Sequence, residues 1–180
     1  MELLQDLKTF LEDLTKDMSL GDEKKPPSVH IGFLPLKVAG PPDSPEELAV
    51  PAQIKGYKNV QTLPADEMNA GDFPFIILRA TEVNDEWEGS QEKAFVPVKL
   101  MFATRSTDED GYRDILHLAQ VMRQAFLESP MVGVAAEAQR PIKTIIHEEQ
   151  PYPQWVGEMR TIWSIPSPTR KVDFINGYQR

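Results

Sequence analysis

The sequence contains no cysteine, and this absence excludes several kinds of chemistry. Without cysteine there is no disulfide framework, no thiolate metal site and no thiol nucleophile. Histidine is also scarce: His30, His117 and His147 are the only three, and none has an HxH or HExxH spacing that places metal ligands on one face. We therefore predict neither a metal site nor a cofactor site.

Motifs of enzymes are equally scarce. There is no GxSxG turn, the ten glycines are too scattered for a phosphate-binding loop, and the carboxylates form no recognisable pair. Residues 108–111 (DEDG) resemble the start of a calcium loop, but the twelfth position is Ala119, and helix capping explains the same residues. We therefore predict no catalytic residues and a protein that is not an enzyme.

Long apolar runs and positive charge are lacking as well. No run approaches the ~18 residues of a membrane span, and the acidic, amphipathic MELLQDLKTF is unlike a signal peptide. Lys and Arg number 19 against 28 Asp and Glu, a net charge of -9. This balance argues against a general phosphate-neutralising surface for nucleic acid.

The chain has 180 residues, which suits one domain with a real core, and we place it at residues 1–168. Residues 169–180 form a C-terminal tail, and the stretch from 167 has a net charge of +2. That tail either docks on a neighbouring subunit or is flexible. Prolines number 16, many of them between residues 39 and 72, where no period is sustained. A loop of this length in a compact domain is either functional or a reason to doubt that the segment is a loop.

Two stretches have the apolar spacing of an amphipathic helix. The first is residues 2–18, which we expect to pack on the sheet of its own chain; a partner-binding or membrane-surface helix is the alternative. The second is residues 107–128, with Thr107 or Asp108 as its cap and Pro130 beyond its end. Its predicted core face comprises Tyr112, Ile115, Leu116, Ala119, Met122 and Phe126.

Five stretches are apolar and rich in β-branched or aromatic residues, as in strands. They are residues 29–38, 73–79, 93–104, 141–147 and 157–165. Residues 84–91 are predicted as a polar turn and 130–139 as a loop. Alternation places Met159, Thr161, Trp163 and Ile165 on one face of the last strand. We predict an α/β (α+β) fold: a mainly antiparallel or mixed sheet of about four to five strands, with two main helices on one face.

Aromatic residues alternate with prolines just before the last strand. The residues singled out as a candidate partner or subunit interface are Gln150, Pro151, Tyr152, Pro153 and Trp155. Tyrosine and tryptophan between prolines present rigid apolar area at low entropic cost, which suits a protein–protein contact. The alternative is a turn whose rings fold back over the edge of the sheet.

Three segments, in this order and spacing, resemble the tail terminator (tail completion, head–tail joining) proteins of long-tailed bacteriophages. They are DFPFIILR at 72–79, STDEDGYRD at 106–114, and EEQPYPQWVGE at 148–158, which leads into a strand ending in WSIP. The resemblance covers residues 72–168, a little over half of the chain. Within that family, the sequence is similar above all to members from phages and prophages of Gram-positive bacteria.

The resemblance implies a structural virion protein with a mixed α/β subunit that assembles as a homohexameric ring. Such a ring caps the tail tube, ends tail elongation and presents the surface that joins the head. The implied partners are neighbouring copies, the tail tube protein and a head–tail connector protein, with no membrane. DNA would pass through the ring without specific binding, and neutralising carboxylates in the lumen would then retard DNA ejection. The implied location is the head-proximal end of the virion tail, and the host bacterial cytoplasm during assembly.

Two other functions stay open. One is another head–tail connector or a tail tube component, which shares small α/β subunits and ring symmetry. A tube protein polymerises into long tubes, whereas a terminator stops at a ring. The other is an uncharacterised carboxylate-based enzyme, which a tightly bound metal or a ligand-dependent rise in melting temperature would favour.

Overall fold

The computed structural model describes residues 2–34, 72–88, 91–108 and 110–166. Residues 35–38 of the predicted strand 29–38, the predictions made for residues 39–71 and those for the tail 169–180 lie outside these ranges. The described part of that strand ends at Ile31, earlier than predicted. The chain order of the elements is α1 (Glu2–Thr15), β1 (Ser28–Ile31), β2 (Phe75–Ala80), β3 (Asn84–Glu88), β4 (Gln91–Arg105), α2 (Asp110–Glu128), β5 (Met131–Val132), β6 (Ala136–Ile146) and β7 (Gln154–Pro166).

The strands form one mixed sheet, and this confirms the predicted fold class. Six strands follow the order β1-β2-β4-β7-β6-β5, and β3 pairs with β4 outside that path. Only the β1–β2 pair is parallel among these pairings. The seven strands exceed the predicted four to five because β3 pairs with the 15-residue β4 and β5 pairs with β6. One half of β4 pairs with β2 and the other half with β3.

Two predicted connections are strands instead. Residues 84–91 were expected to be a polar turn, but Asn84–Glu88 is β3. Residues 130–139 were expected to be a loop, but Met131–Val132 is β5 and β6 begins at Ala136. Both predictions are wrong for the same reason: strand pairing is made by the backbone, so a polar or small-residue segment pairs where a longer strand offers an edge.

The sheet curls around the two helices. Helix α1 contacts both β1 and β5, which are at opposite ends of the strand order, and α2 lies on β4, β6 and β7. Both helices therefore occupy the same, concave face, as predicted. We call this the helix face and the convex side the outer face. The largest buried side chains on the helix face include Leu7, Phe102, Phe126 and Trp163.

Helix α1 packs on the sheet of its own chain, which was the first of its two interpretations. Leu3, Leu4, Leu7 and Leu11 are buried, and the ring of Phe10 stacks on Phe126 at 5.7 Å between centroids. Full burial of a leucine side chain contributes about 1.5–3 kcal/mol. These leucines therefore hold α1 firmly against the core.

Helix α2 differs from its prediction in its start and in its buried face. It begins at Asp110, not at residue 107. Tyr112 and Leu116, which were assigned to the core face, are 46% and 40% exposed. The buried residues are Gly111, Ile115, Leu118, Ala119, Met122 and Phe126. Apolar residues surround so much of this helix that its spacing allows two overlapping faces, and packing selects one of them.

Strand β7 has the predicted alternation on the helix face. Met159, Thr161 and Trp163 are all buried there. The indole N–H of Trp163 donates to Thr161 Oγ1 at 2.8 Å, and that hydroxyl donates to the carbonyl of Val98 at 3.0 Å. The polar atoms of this buried pair are therefore satisfied, as burial requires.

The outer face has an apolar cluster of its own at one end of the sheet. The cluster comprises Phe73, Phe75, Ile77, Met101 and Ala103, with Leu34 and Val156 packed against it. These residues come from the start of β2, the end of β4 and the start of β7. That end of the sheet is therefore apolar on both faces, as in a strand buried on two sides.

Candidate interface at the aromatic corner

The aromatic–proline segment lies between β6 and β7, next to the start of α2. We call this region the aromatic corner and define it as Tyr112, Gln150, Pro151, Tyr152, Pro153 and Trp155. The five residues predicted as an interface lie within positions 150–155, and the structure adds Tyr112 to them through a ring contact with Trp155. Contacts between these residues and the segment before α2 give the corner its shape.

Backbone hydrogen bonds hold the corner to the end of β4. The N–H of Gln154 donates to the carbonyl of Pro151 at 2.9 Å, which closes a tight turn. The N–H of Ser106 donates to the carbonyl of Pro153 at 3.0 Å. Proline has no N–H and a fixed φ, so Pro151 and Pro153 supply acceptors at little conformational cost. The segment is therefore an ordered turn and not a loose loop.

Gln150 closes the base of this turn. Its side-chain Nε2 donates to the carbonyl of Val156 at 3.1 Å, and its Oε1 accepts from the N–H of Val156 at 2.7 Å. The amide thus pairs with one residue as a neighbouring strand would. Gln150 is half-buried. These hydrogen bonds position the turn.

Trp155 folds back over the start of α2, as the turn interpretation expects. Its indole N–H donates to the carbonyl of Ser106 at 3.2 Å, and its ring meets Tyr112 at 5.9 Å between centroids. A Cβ atom on Gly111 would lie 2.1 Å from Trp155 Nε1. Only glycine at position 111 leaves room for the indole in this position.

Tyr152 points outward, as the interface interpretation expects. Its side chain is 65% exposed while its hydroxyl donates to the carbonyl of Thr107 at 3.0 Å. The ring is fixed at one end and accessible on its surface. Tyr112 and Leu116 extend the exposed apolar surface along α2. Rigid aromatic area of this kind is typical of the contact surface of a protein–protein interface.

Sequence reasoning missed Tyr112 and Leu116 as surface residues because periodicity assigned them to the core. One signal was available in the sequence. Tyr112 and Leu116 are one helical turn apart, and Tyr112 follows the glycine at the start of α2. The helix also has a second apolar stripe, which is long enough to fill the core alone. When the apolar face of a helix is wider than the area that packs on the sheet, the apolar residues outside that area are available for contact elsewhere.

A small cavity adjoins the same end of the sheet. It has a volume of about 220 Å³. Asp22, at its rim, accepts from the N–H of Thr107 through Oδ1 at 3.2 Å. Its lining residues are Leu20, Gly21, Asp22, Glu23, Phe73, Pro74 and Arg105. The cavity gives this end of the molecule a recess close to the exposed rings.

The histidines lie on three different elements. His30 is on β1, where burial first and then the charge of Lys8 lower its pKa. His117 is on the exposed side of α2, and His147 follows the end of β6. In residues 2–34, 72–88, 91–108 and 110–166, no three His, Asp or Glu side chains come together as a metal-binding set. Within the same residues, no helix has the length and hydropathy of a membrane span.

Comparison of the chain with models of known protein families gives no match, and comparison with curated proteins gives none either.

Proposed function

We propose that this chain is a structural virion protein that closes as a ring on a finished phage tail tube. In this function it ends tail elongation and presents the surface that joins the head. Its partners are copies of itself in a ring of six, the tail tube protein and a head–tail connector protein. It acts at the head-proximal end of the tail and assembles in the cytoplasm of the bacterial host. DNA passes through the ring without specific binding.

One observation supports the proposal more than any other: the three segments behind the family resemblance meet at one end of the sheet. Residues 72–79 include most of β2, residues 106–114 include the start of α2, and residues 148–158 include all of the aromatic corner except Tyr112. Phe75 pairs with Ala103, which pairs on its other side with Val156. Strand β4 thus bridges the first and third segments, and Trp155 of the third contacts the second through Ser106 and Tyr112. The order and spacing of these segments, on which the family resemblance rests, have a simple explanation if the segments together build one contact site.

The exposed part of that surface suits a protein partner. Tyr152, Tyr112 and Leu116 present apolar area around a hydrogen-bonded turn, and none of them is needed to fill the core. Aromatic side chains with few rotatable bonds lose little entropy on binding. We assign this surface to contact with the tube protein or the connector.

The test uses purified protein and tail tubes assembled from the tube protein alone. We expect added wild-type protein to stop tube growth and to appear as a ring at one tube end in electron micrographs. Tyr152→Ala removes the exposed ring and is expected to reduce capping at least tenfold, the effect of about 1.4 kcal/mol of lost contact. The readouts are the distribution of tube lengths and the fraction of ends with a ring.

Tyr152→Phe is the matched control, because it removes only the hydroxyl that donates to Thr107. It should cap tubes nearly as well as the wild type. Unchanged tube lengths with folded wild-type protein would refute the proposed function. Equal capping by the wild type and Tyr152→Ala would leave the function standing but exclude the aromatic corner as its contact surface.

A further inference from the structure

Four basic residues form a row across the outer face of the sheet. Arg79 of β2 lies opposite Lys99 of β4, Lys99 opposite Arg160 of β7, and Arg160 opposite Lys143 of β6. Residues directly opposite in a sheet point to the same side. Val98 and Leu100 face the helices, so Lys99 and its whole row face outward. With strands about 4.8 Å apart, the row is about 14 Å long. We call it the basic row.

One carboxylate lies within the basic row. Glu158 is buried, pairs with Lys99, and accepts from Arg160 Nη2 at 2.6 Å. Arg79 donates through Nε to the carbonyl of Gly32 at 2.6 Å, and Lys143 is exposed. In the described part of the chain neither of these two makes an ion pair. The row therefore has three positive charges in excess, and like charges placed opposite each other destabilise a sheet. Glu158 accounts for the placement of Lys99 and Arg160, and the Gly32 carbonyl for that of Arg79, but none of these contacts requires all four cations to lie in one row.

The opposite side of the molecule is acidic. Residues 2–17, which include α1, contain five carboxylates and two lysines, a net charge of -3. Because the leucines of α1 point into the core, its polar side points away from the sheet and from the basic row. Its 14 residues give it a length of about 21 Å, enough to cover the row. The acidic residues are Glu2, Asp6, Glu12, Asp13 and Asp17.

Each of these charged surfaces has an apolar feature beside it. Next to α1, the turn between β5 and β6 exposes 97% of Val134, and a Cβ on the adjacent Gly133 would lie 2.0 Å from Asp6 Oδ2. On the outer face, a groove of about 450 Å³ runs beside the basic row. The groove is lined by Thr81, Pro97, Val98, Lys99, Pro141, Arg160, Thr161 and Ile162. One side thus has an acidic surface with an apolar tip, and the other a basic surface with an apolar recess.

We propose that the basic row and its groove bind the acidic side of α1 and Val134 of a second copy. The two surfaces differ and lie on opposite sides, so the contact is head-to-tail and forms a ring when its rotation closes. This interface rests on the proposed ring function and assigns the residues that join its subunits. A second copy is favoured over nucleic acid because the chain has the complementary surface itself, while its net charge of -9 repels a polyanion.

The experiment uses two charge-reversed variants of the full chain. The row variant is Arg79→Glu with Lys143→Glu, and the helix variant is Glu2→Lys with Asp13→Lys. Each variant places like charges on both sides of the contact and should remain monomeric. Mixed together, the reversed row faces the reversed helix and each native surface faces a native one. The mixture should therefore associate again, with a mass that alternates the two variants in native mass spectrometry.

The matched control is Arg123→Glu, a reversal at an exposed position of α2 outside both surfaces. It should associate as the wild type does at low salt. Raising the salt to about 1 M shortens the Debye length to about 3 Å and should weaken association of the wild type at least tenfold. Circular dichroism of each variant establishes that it is folded before its mass is interpreted.

Three results would overturn the inference. The wild type could remain monomeric at low salt, either variant could associate by itself, or the mixture of the two variants could remain monomeric. Retention of short duplex DNA by the wild type, lost in the row variant without change in self-association, would assign the row to nucleic acid instead. Failure here is separable from failure of the proposed function. Capping of tubes by a row variant that still forms rings would refute the interface and leave the function intact.

Discussion

At the scale of single residues, Glu158 combines a charge with burial. Burial would raise the pKa of its carboxyl, but hydrogen bonds from Lys99 and Arg160 and their positive charges outweigh burial, so the pKa lies below its ordinary value of 4.5. The folded state therefore favours the ionised carboxylate. A group of this kind stabilises the fold above its unfolded pKa, and this stability is lost as the pH falls through the folded pKa.

Glu158→Gln should therefore have an effect that depends on pH. At neutral pH we expect the free energy of unfolding of the variant to be about 2 kcal/mol lower than that of the wild type, because two cations lose a charged acceptor. As the pH falls below 4.5 and through the lower pKa of the folded state, the wild-type carboxyl becomes protonated, so the difference should shrink toward zero. Urea unfolding of both proteins across this range measures the difference. His30 titrates in both proteins and cancels in the comparison. A difference that stays constant with pH would contradict this account of Glu158.

Trp155 and Gly111 also illustrate the residue scale. The indole is placed where a glycine leaves space, and its N–H reaches a backbone carbonyl instead of solvent. Neither requirement is visible in the sequence, where the two residues are far apart. The exposed ring of Tyr152 is likewise held by a residue distant in sequence, because its hydroxyl donates to the carbonyl of Thr107.

At the scale of elements, helix α2 shows how tertiary packing selects among apolar faces. Leu116 and Leu118 are two positions apart and equally apolar, yet Leu118 is fully buried and Leu116 is 40% exposed. On a helix, residues two positions apart point in very different directions. The sheet contacts only one of them. The leucine that remains outside adds to the exposed surface of the aromatic corner.

These two leucines form a matched pair for a stability measurement. Leu118→Ala should lower the free energy of unfolding by about 2–5 kcal/mol, because it leaves a cavity in the core. Leu116→Ala removes the same atoms from a partly exposed site and should cost less than about 1 kcal/mol. Chemical denaturation of both variants provides the comparison. Equal losses would mean that the rotation of α2 about its axis is different from the one described.

At the scale of the whole molecule, charge is separated between the two sides of the curled sheet. A net charge of -9 makes identical copies repel one another unless opposite charges meet locally. In the proposed interface, the basic row of one copy meets the acidic side of α1 of the next, and these two surfaces lie on opposite sides of the chain. This separation favours a chain of contacts between copies over a closed pair of identical surfaces.

The solution mass distinguishes a terminator from a tube component. For a terminator we expect light scattering across a range of concentrations to find association that stops at a closed ring of six. A tube protein, by contrast, would continue to grow with concentration into long particles. Native mass spectrometry of the same samples counts the subunits. Unlimited growth would favour the tube interpretation, and a stable pair would exclude a head-to-tail ring.

The sequence by itself determined the fold class and most of the element positions. Local sequence patterns predict both helices and the apolar strands, because the spacing of apolar and turn-forming residues depends only on neighbours in the chain. Met159, Thr161 and Trp163 were placed on the correct face for the same reason. The aromatic–proline segment was also recognisable in the sequence, as either a partner interface or a turn folded over the edge of the sheet.

Only the tertiary structure decided which surfaces remain outside. The strands β3 and β5 exist because longer strands offer their backbones as partners, and polar composition does not prevent such pairing. The exposure of Tyr112 and Leu116 depends on which side of α2 packs on β4, β6 and β7. The basic row depends on the register of four strands, which brings together residues that the sequence separates by up to 81 positions. Register is a property of the assembled sheet, so no local pattern contains it.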